Sequence, residues 1–122
     1  MHAELEELAR LERLVADALT AADPVAELRR AARDESLPAD LRAALERADE
    51  DGVRLSALLV ARLRFERLMQ GSRAAARWFE EDARAFTEAF RTYHRSVAPT
   101  APFPGEEGAR FEEWLASRRD EV

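Results

Sequence analysis

The chain has 122 residues, no cysteine, and 25 acidic against 19 basic residues, which leaves a net charge of −6. The absence of cysteine excludes disulfides, thiolate metal sites and cysteine nucleophiles, and the negative charge argues against general affinity for a phosphate backbone. The length suits one domain, so we predict a single helical domain over residues 1–122.

Apolar residues recur at helical spacing through most of the chain, and no strand-like alternation interrupts them. Prolines, glycines and acidic residues divide this pattern into segments. We predict helices at about 3–22, 24–33, 38–48, 52–70, a short one from Ser72, 82–97, and a last one from near Gly105. Residues 118–122 are expected to be frayed. The predicted fold class is therefore all-α, a compact bundle of six or seven short helices.

Three residues are predicted to mark helix ends. Asp23 precedes Pro24, a pair that suits the cap and first position of the second helix. Asp51 is predicted to cap the fourth helix, and Gly71 to end it, since glycine is the commonest residue just past a helix.

The fourth helix has the most apolar side chains, and they cover more than one of its faces. A helix of this kind is expected at the centre of a bundle. We therefore predict that Leu59 lies in the core and that Leu59→Ala costs about 2–5 kcal/mol of unfolding free energy.

The sequence contains no recognisable catalytic or metal-binding pattern. His94 is the only histidine away from the N-terminus, and Arg91 stands where a Glu-x-x-His motif would place glutamate. Neither a Gly-x-Ser-x-Gly elbow nor a glycine-rich phosphate loop occurs. We predict a protein that is not an enzyme and that has no metal and no cofactor.

Neither membrane insertion nor secretion is predicted. No apolar run approaches the ~20 residues of a membrane span, and the charged N-terminus lacks a signal-peptide pattern. We therefore expect a cytoplasmic protein.

Two alternative functions stay open at this stage. Arginines surround aromatic residues between Arg62 and Arg77, and clustering of these arginines on one helix face would favour a DNA-binding regulator. They alternate with acids and fall on several faces, so nucleic acid is not the preferred partner. An exposed apolar stripe from Leu5 to Leu19 would favour a self-associating structural protein, such as a homodimer.

The stretch from Phe86 to Trp114 combines aromatic residues, prolines and one histidine, and we predict that it carries the binding surface. Rigid loops of this composition are good docking platforms for peptides and proteins. The alternative is that Tyr93 and Phe103 only cover one end of the core, with His94 exposed. The candidate binding residues are Tyr93, His94, Pro99, Thr100, Pro102, Phe103 and Trp114.

The order of motifs in the second half of the chain resembles a known helical family. The motifs are Arg62-Leu-Arg-Phe65, then Phe86, Phe90 and Tyr93, then Ala98-Pro-Thr-Ala-Pro102, then Phe111 and Trp114-Leu115. They are similar to the helical domain, once labelled DNA-binding, of small proteins that accompany multinuclear non-haem iron oxidases. Those oxidases are TIM-barrel enzymes that modify ribosomally made precursor peptides. The resemblance spans about 52–115 and implies a non-catalytic partner that binds the oxidase and presents the precursor peptide.

Overall fold

The computed structural model describes residues 2–120, which form seven α-helices and no strand. They are α1 (His2–Thr20), α2 (Pro24–Ala31), α3 (Ala39–Arg47), α4 (Glu50–Gly71), α5 (Arg73–Glu81), α6 (Ala83–Ser96) and α7 (Pro104–Asp120). The all-α prediction is confirmed. No helix in this range is both long and apolar enough to cross a membrane. The helix α7 extends to Asp120, and Glu121 and Val122, for which fraying was predicted, lie outside the described residues.

Side-chain caps start several of the helices. The Asp23 carboxylate accepts a hydrogen bond from the Ala26 backbone N–H at 3.1 Å, as its position before Pro24 predicts. The predicted cap at Asp51 is wrong, because α4 already begins at Glu50 and the Asp49 carboxylate accepts from the Gly52 N–H at 2.8 Å. Asp49 directly precedes the first helical residue, which is the position from which a side chain caps the N–H three residues on.

The chain forms two compact units that divide within α4, between Val60 and Ala61. Each unit has its own core. In the first unit the core consists of small and aliphatic side chains, namely Ala18, Leu28, Ala32, Leu37 and Leu45. The Arg29 guanidinium donates to the Leu45 and Ala48 carbonyls at 2.7 and 2.9 Å, which satisfies the C-terminal end of α3. The sequence prediction of one domain over residues 1–122 stays a prediction.

The core of the second unit is aromatic. Its buried members are Leu68, Ala75, Phe86, Phe90, Tyr93 and Phe111. Most ring pairs meet edge to face, for example Phe65 and Phe79 with centroids 5.2 Å apart, a geometry that favours the ring quadrupoles. Three of these six buried residues, Phe86, Phe90 and Tyr93, belong to α6.

The leucines of α4 occupy a different place from the one predicted. Leu55, Leu58, Leu59 and Leu63 are all more than half exposed, while Leu68 and Arg64 are buried. The prediction that Leu59 is a core residue is wrong. Apolar composition on several faces does not determine which faces meet a neighbouring helix. In α4, Leu68, Phe65 and Met69 pack in the aromatic core, and Val53 packs against the core of the first unit.

Two glycines allow backbone segments to approach each other closely within the second unit. A Cβ atom at Gly71 would lie 1.7 Å from the Pro104 carbonyl oxygen, and one at Gly108 would lie 2.3 Å from the Gly71 carbonyl oxygen. The end of α4 and the first turns of α7 therefore touch through their backbones. Gly71 ends α4, as its position predicts, but steric contact with α7 rather than a positive φ angle requires glycine there.

Candidate functional site

The candidate site is the segment 97–103 between α6 and α7, which we call the proline loop. It begins where Val97 takes an extended conformation with φ −122° and ψ 120°. Pro99 and Pro102 keep the chain from returning to a helix before α7 starts at Pro104. Ala101 is buried and anchors the middle of the loop to the second unit.

A single buried arginine holds the start of the proline loop. The Arg64 Nη1 atom donates to the Val97 carbonyl at 2.6 Å and lies 3.3 Å from His94 Nδ1. Its Nη2 atom donates to the Ala98 carbonyl at 3.4 Å. Because a guanidinium has five N–H groups in a rigid plane, Arg64 can fix two successive loop carbonyls and still use its remaining donors elsewhere.

The remaining donors of Arg64 bind Glu107 in the first turn of α7. The Nε atom lies 2.8 Å from Glu107 Oε1, and Nη2 lies 3.2 Å from Oε2, which is a bidentate ion pair. The Tyr93 hydroxyl also donates to Oε2 of this carboxylate. The Arg64 guanidinium carbon lies 4.3 Å from the centroid of the Tyr93 ring, within cation–π range.

These four residues, Arg64, Glu107, Tyr93 and His94, form what we call the Arg64 network. The first three have no exposed surface, and His94 is 8% exposed. The network links α4, α6, α7 and the proline loop inside the second unit. Each hydrogen bond replaces hydration that these groups lose, so the loss of any member leaves a buried polar partner unsatisfied.

Burial shifts the protonation of two network members. Desolvation, assisted by the positive charge of Arg64, lowers the pKa of His94 to about 4. His94 Nδ1 can then accept from Arg64, which assigns the proton to Nε2, a buried atom with no hydrogen-bond partner among the described residues. Desolvation and the hydrogen bond to Glu107 raise the pKa of Tyr93 to about 12, so the hydroxyl keeps its proton and donates it.

The Arg64 network contains the residue types of acid–base chemistry, but its geometry suits a structural role. Histidine, tyrosine and glutamate can all transfer protons. Here the Glu107 and Tyr93 side chains have no exposed surface, and each polar atom of Glu107 faces Arg64 or Tyr93. Among the described side chains, no group of three or more His, Asp or Glu is placed to hold a metal ion.

The seven predicted binding residues lie at different depths. Tyr93 and His94 are buried beneath the proline loop, and Pro99 is half-buried. Thr100 and Pro102 are exposed, and the Thr100 hydroxyl accepts a hydrogen bond from Arg110. Phe103 is 64% exposed. The structure therefore offers Thr100, Pro102 and Phe103 as the outer surface of the loop, while Tyr93 and His94 support it from inside.

The seventh predicted residue, Trp114, is half-buried and packs against the core. Its ring centroid lies 5.4 Å from that of Tyr93, and the Arg118 guanidinium carbon lies 4.8 Å from the Trp114 centroid, within cation–π range. Arg118 also borders an open cavity of about 450 Å³ lined by Trp78, Leu115, Arg118 and Arg119. Trp114 is thus partly covered by Tyr93 and Arg118.

Arg64 and Glu107, the two central members of the network, were not predicted as site residues. A pattern in the sequence indicates both of them. Arg64 precedes the buried Leu68 by four residues, and Glu107 precedes the buried Phe111 by four, so each lies on the apolar stripe of its helix. Opposite charges on the buried faces of two helices indicate a buried ion pair.

The arginines considered for nucleic acid do not share one environment. Arg62 is exposed and pairs with Glu66 at 3.2 Å, whereas Arg64 is fully buried. Arg67 is half-buried with Nη2 3.9 Å from Glu107, and Arg73 and Arg77 are exposed on α5. The pattern Arg62 to Arg77 therefore does not amount to a basic patch on one helix face.

Comparison with known proteins gives no match: no family model, no curated protein and no solved structure is matched by this chain. The resemblance to partners of multinuclear iron oxidases therefore stays a prediction based on the order of motifs.

Proposed function

We propose that the protein is a non-catalytic adaptor that binds a partner protein through the outer surface of the proline loop. The observation that carries the proposal is Phe103, a large apolar side chain that is 64% exposed on a loop held by a fully buried arginine. An exposed phenylalanine side chain contributes little to the stability of its own fold. Burial against a partner would remove its apolar surface from water, which is favourable.

The Arg64 network supports this proposal by fixing the loop before binding. The Val97 and Ala98 carbonyls accept hydrogen bonds from Arg64, and Ala101 is buried. Such a loop loses little conformational entropy when a partner docks on it, so more of the contact energy appears as affinity. Phe103 would be the anchor, and Pro102 and Thr100 would form the rim.

The partner that the family resemblance suggests is a multinuclear non-haem iron oxidase acting on a ribosomal precursor peptide. This part of the proposal rests on the motifs from Arg62 to Leu115 and not on the geometry of the loop. The adaptor would bind the oxidase and help to present the peptide. The proposal assigns no catalytic role and no cofactor to this chain.

An affinity pull-down from the native host tests the proposal, with captured proteins identified by mass spectrometry and nucleic acid quantified in the same eluate. The baits are the wild-type chain, Phe103→Ala, and Leu63→Ala as a matched control. Leu63 is also a large apolar residue that is more than half exposed, but it lies on α4 and outside the loop.

The expected result is a TIM-barrel iron oxidase that is recovered with wild type and Leu63→Ala and is at least about tenfold depleted with Phe103→Ala, as for an interface hot spot. A different protein partner with the same dependence on Phe103 would support the adaptor role and contradict the oxidase assignment. DNA without a protein partner would contradict both.

A further inference from the structure

Two helices expose apolar faces that their own cores do not use. On α1, Leu5 and Leu8 are 58% and 51% exposed, and on α4, Leu55 and Leu58 are 58% and 68% exposed. None of these leucines belongs to the core of the first unit. Single exposed leucines are ordinary, but several on one helix face are typical of an interaction surface.

The charges that flank the two faces are opposite and equally spaced. Glu4 and Glu12 lie four residues before and after Leu8, and all three are exposed. Residues four apart share a helix face, so α1 presents a leucine between two carboxylates.

The matching face of α4 carries basic residues at the same spacing. Arg54 and Arg62 lie four residues before and after Leu58, and all three are exposed. Their only ion pairs among the described residues are with exposed neighbours on α4, Glu50, Asp51 and Glu66. Such surface pairs contribute little and can be exchanged for contacts to a partner.

We propose that two copies of this chain associate reciprocally, with the Glu4–Leu8–Glu12 face of α1 in each copy lying on the Arg54–Leu58–Arg62 face of α4 in the other. The charge spacing identifies the occupant, because each face is complementary to the other one and both belong to the same chain. A two-fold dimer buries both faces of both copies. The opposite charges set the register, and the leucines supply most of the affinity.

Cross-linking between two differently tagged chains tests the pairing directly. The chain has no cysteine, so a Leu8→Cys chain and a Leu58→Cys chain each carry one thiol. After mixing and mild oxidation, we expect the mixed disulfide to exceed both homodisulfides. The matched control mixes the Leu8→Cys chain with a Phe103→Cys chain, whose thiol is equally exposed but outside both faces.

Sedimentation equilibrium of the full chain measures the strength of the association. We expect the wild type to be dimeric at about 100 μM, and Leu58→Ser to weaken the dimer at least about tenfold, since each dimer loses two buried leucines. Phe103→Ser should leave the dimer unchanged. Circular dichroism confirms that each variant is folded.

A charge exchange distinguishes this pairing from any other apolar association. The double variant Glu4→Arg, Glu12→Arg should weaken the dimer, and adding Arg54→Glu and Arg62→Glu should restore it. A wild-type chain that remains monomeric at about 100 μM would overturn the proposal, since useful interfaces have micromolar or lower Kd. Cross-linking that does not favour the mixed disulfide, or a dimer that the charge exchange does not restore, would overturn it as well.

Discussion

At the scale of single residues, Arg64 explains how a proline-rich segment keeps one conformation. Its guanidinium binds two loop carbonyls and the Glu107 carboxylate at once, with no surface exposed to solvent. A buried ion pair is expensive to desolvate, and replacing both members with apolar residues is often neutral or stabilising. The pair is therefore explained better by the geometry it imposes on the loop than by net stability.

Arg64→Met is expected to lower the unfolding free energy by about 3–5 kcal/mol, because it leaves the buried Glu107 carboxylate with only Arg67, at 3.9 Å, as a counter-charge. Chemical denaturation of the purified chain measures the loss. The double variant Arg64→Met, Glu107→Leu should recover part of it, because neither charge then remains buried. A loss below about 1 kcal/mol for the single variant, as for a surface pair, would contradict the burial of the network.

His94 should make the fold sensitive to mild acid. Its pKa is about 4 in the folded chain against an ordinary value of 6.5. As the pH falls from 6.5 towards 4, the unfolded chain therefore gains a proton that the folded chain does not, and stability decreases in this window. In His94→Gln this contribution is absent, so the unfolding free energy should fall less steeply between pH 6.5 and 4.

Denaturation curves at several pH values check this expectation, with His2→Gln as the control because His2 is exposed at the start of α1. Glutamine keeps an amide oxygen that can accept from Arg64, so the loop contact has a substitute. Equal pH slopes for wild type and His94→Gln would show that His94 is not desolvated.

At the scale of elements, the close packing of α4 against α7 requires glycine, which has no Cβ atom, at positions 71 and 108. Gly108→Ala places a methyl group 2.3 Å from the Gly71 carbonyl oxygen, and backbone cannot yield as a side chain can. We expect it to cost about 1–3 kcal/mol of unfolding free energy. Gly105→Ala on the same helix meets nothing within 4 Å and should stabilise by about 0.4–1 kcal/mol.

Thermal or chemical unfolding of both variants gives the comparison. The two substitutions are chemically identical and three residues apart, so a difference in sign isolates the steric contact from helix propensity. Stabilisation by both would mean that α4 and α7 do not approach each other as described.

A second comparison concerns the two sides of α4. Leu68 has no exposed surface and belongs to the aromatic core, so Leu68→Ala should cost about 2–5 kcal/mol of unfolding free energy. Leu59 is 51% exposed, so Leu59→Ala should cost less than about 1 kcal/mol, and the difference is read from denaturation midpoints. If Leu59→Ala cost as much as Leu68→Ala, Leu59 would be buried, and the description of its side of α4 as exposed would be wrong.

The helices themselves were predictable because their signals are local. Apolar spacing, Pro24, Asp23 and the prolines after α6 act within a turn or two of the helices they define. The position of Leu59 was not predictable, because it depends on which neighbours α4 meets. The Arg64 network joins residues 43 apart in sequence, and Arg64 and Glu107 were visible only as charges on apolar stripes. Composition marked Phe103 as a candidate binding residue and left open whether Tyr93 only covers the core, whereas the burial of His94 was not predicted.

At the scale of the whole molecule, we propose separate tasks for separate surfaces. In this proposal the proline loop of the second unit presents Phe103 to a partner, and the flanked leucine faces of α1 and α4 bind a second copy of the chain. The buried Arg64 network would contribute by holding the loop. A variant on one surface should therefore leave the function of the other intact.

The most direct test measures partner recovery and melting temperature for Phe103→Ala in parallel, beside Leu63→Ala and wild type. We expect Phe103→Ala to lower recovery of the partner at least about tenfold while its melting temperature stays within a few degrees of wild type, since surface substitutions change stability by about 0.5 kcal/mol or less. Full recovery with Phe103→Ala, or an equal loss of binding and of fold, would contradict the claim that this side chain is presented for binding.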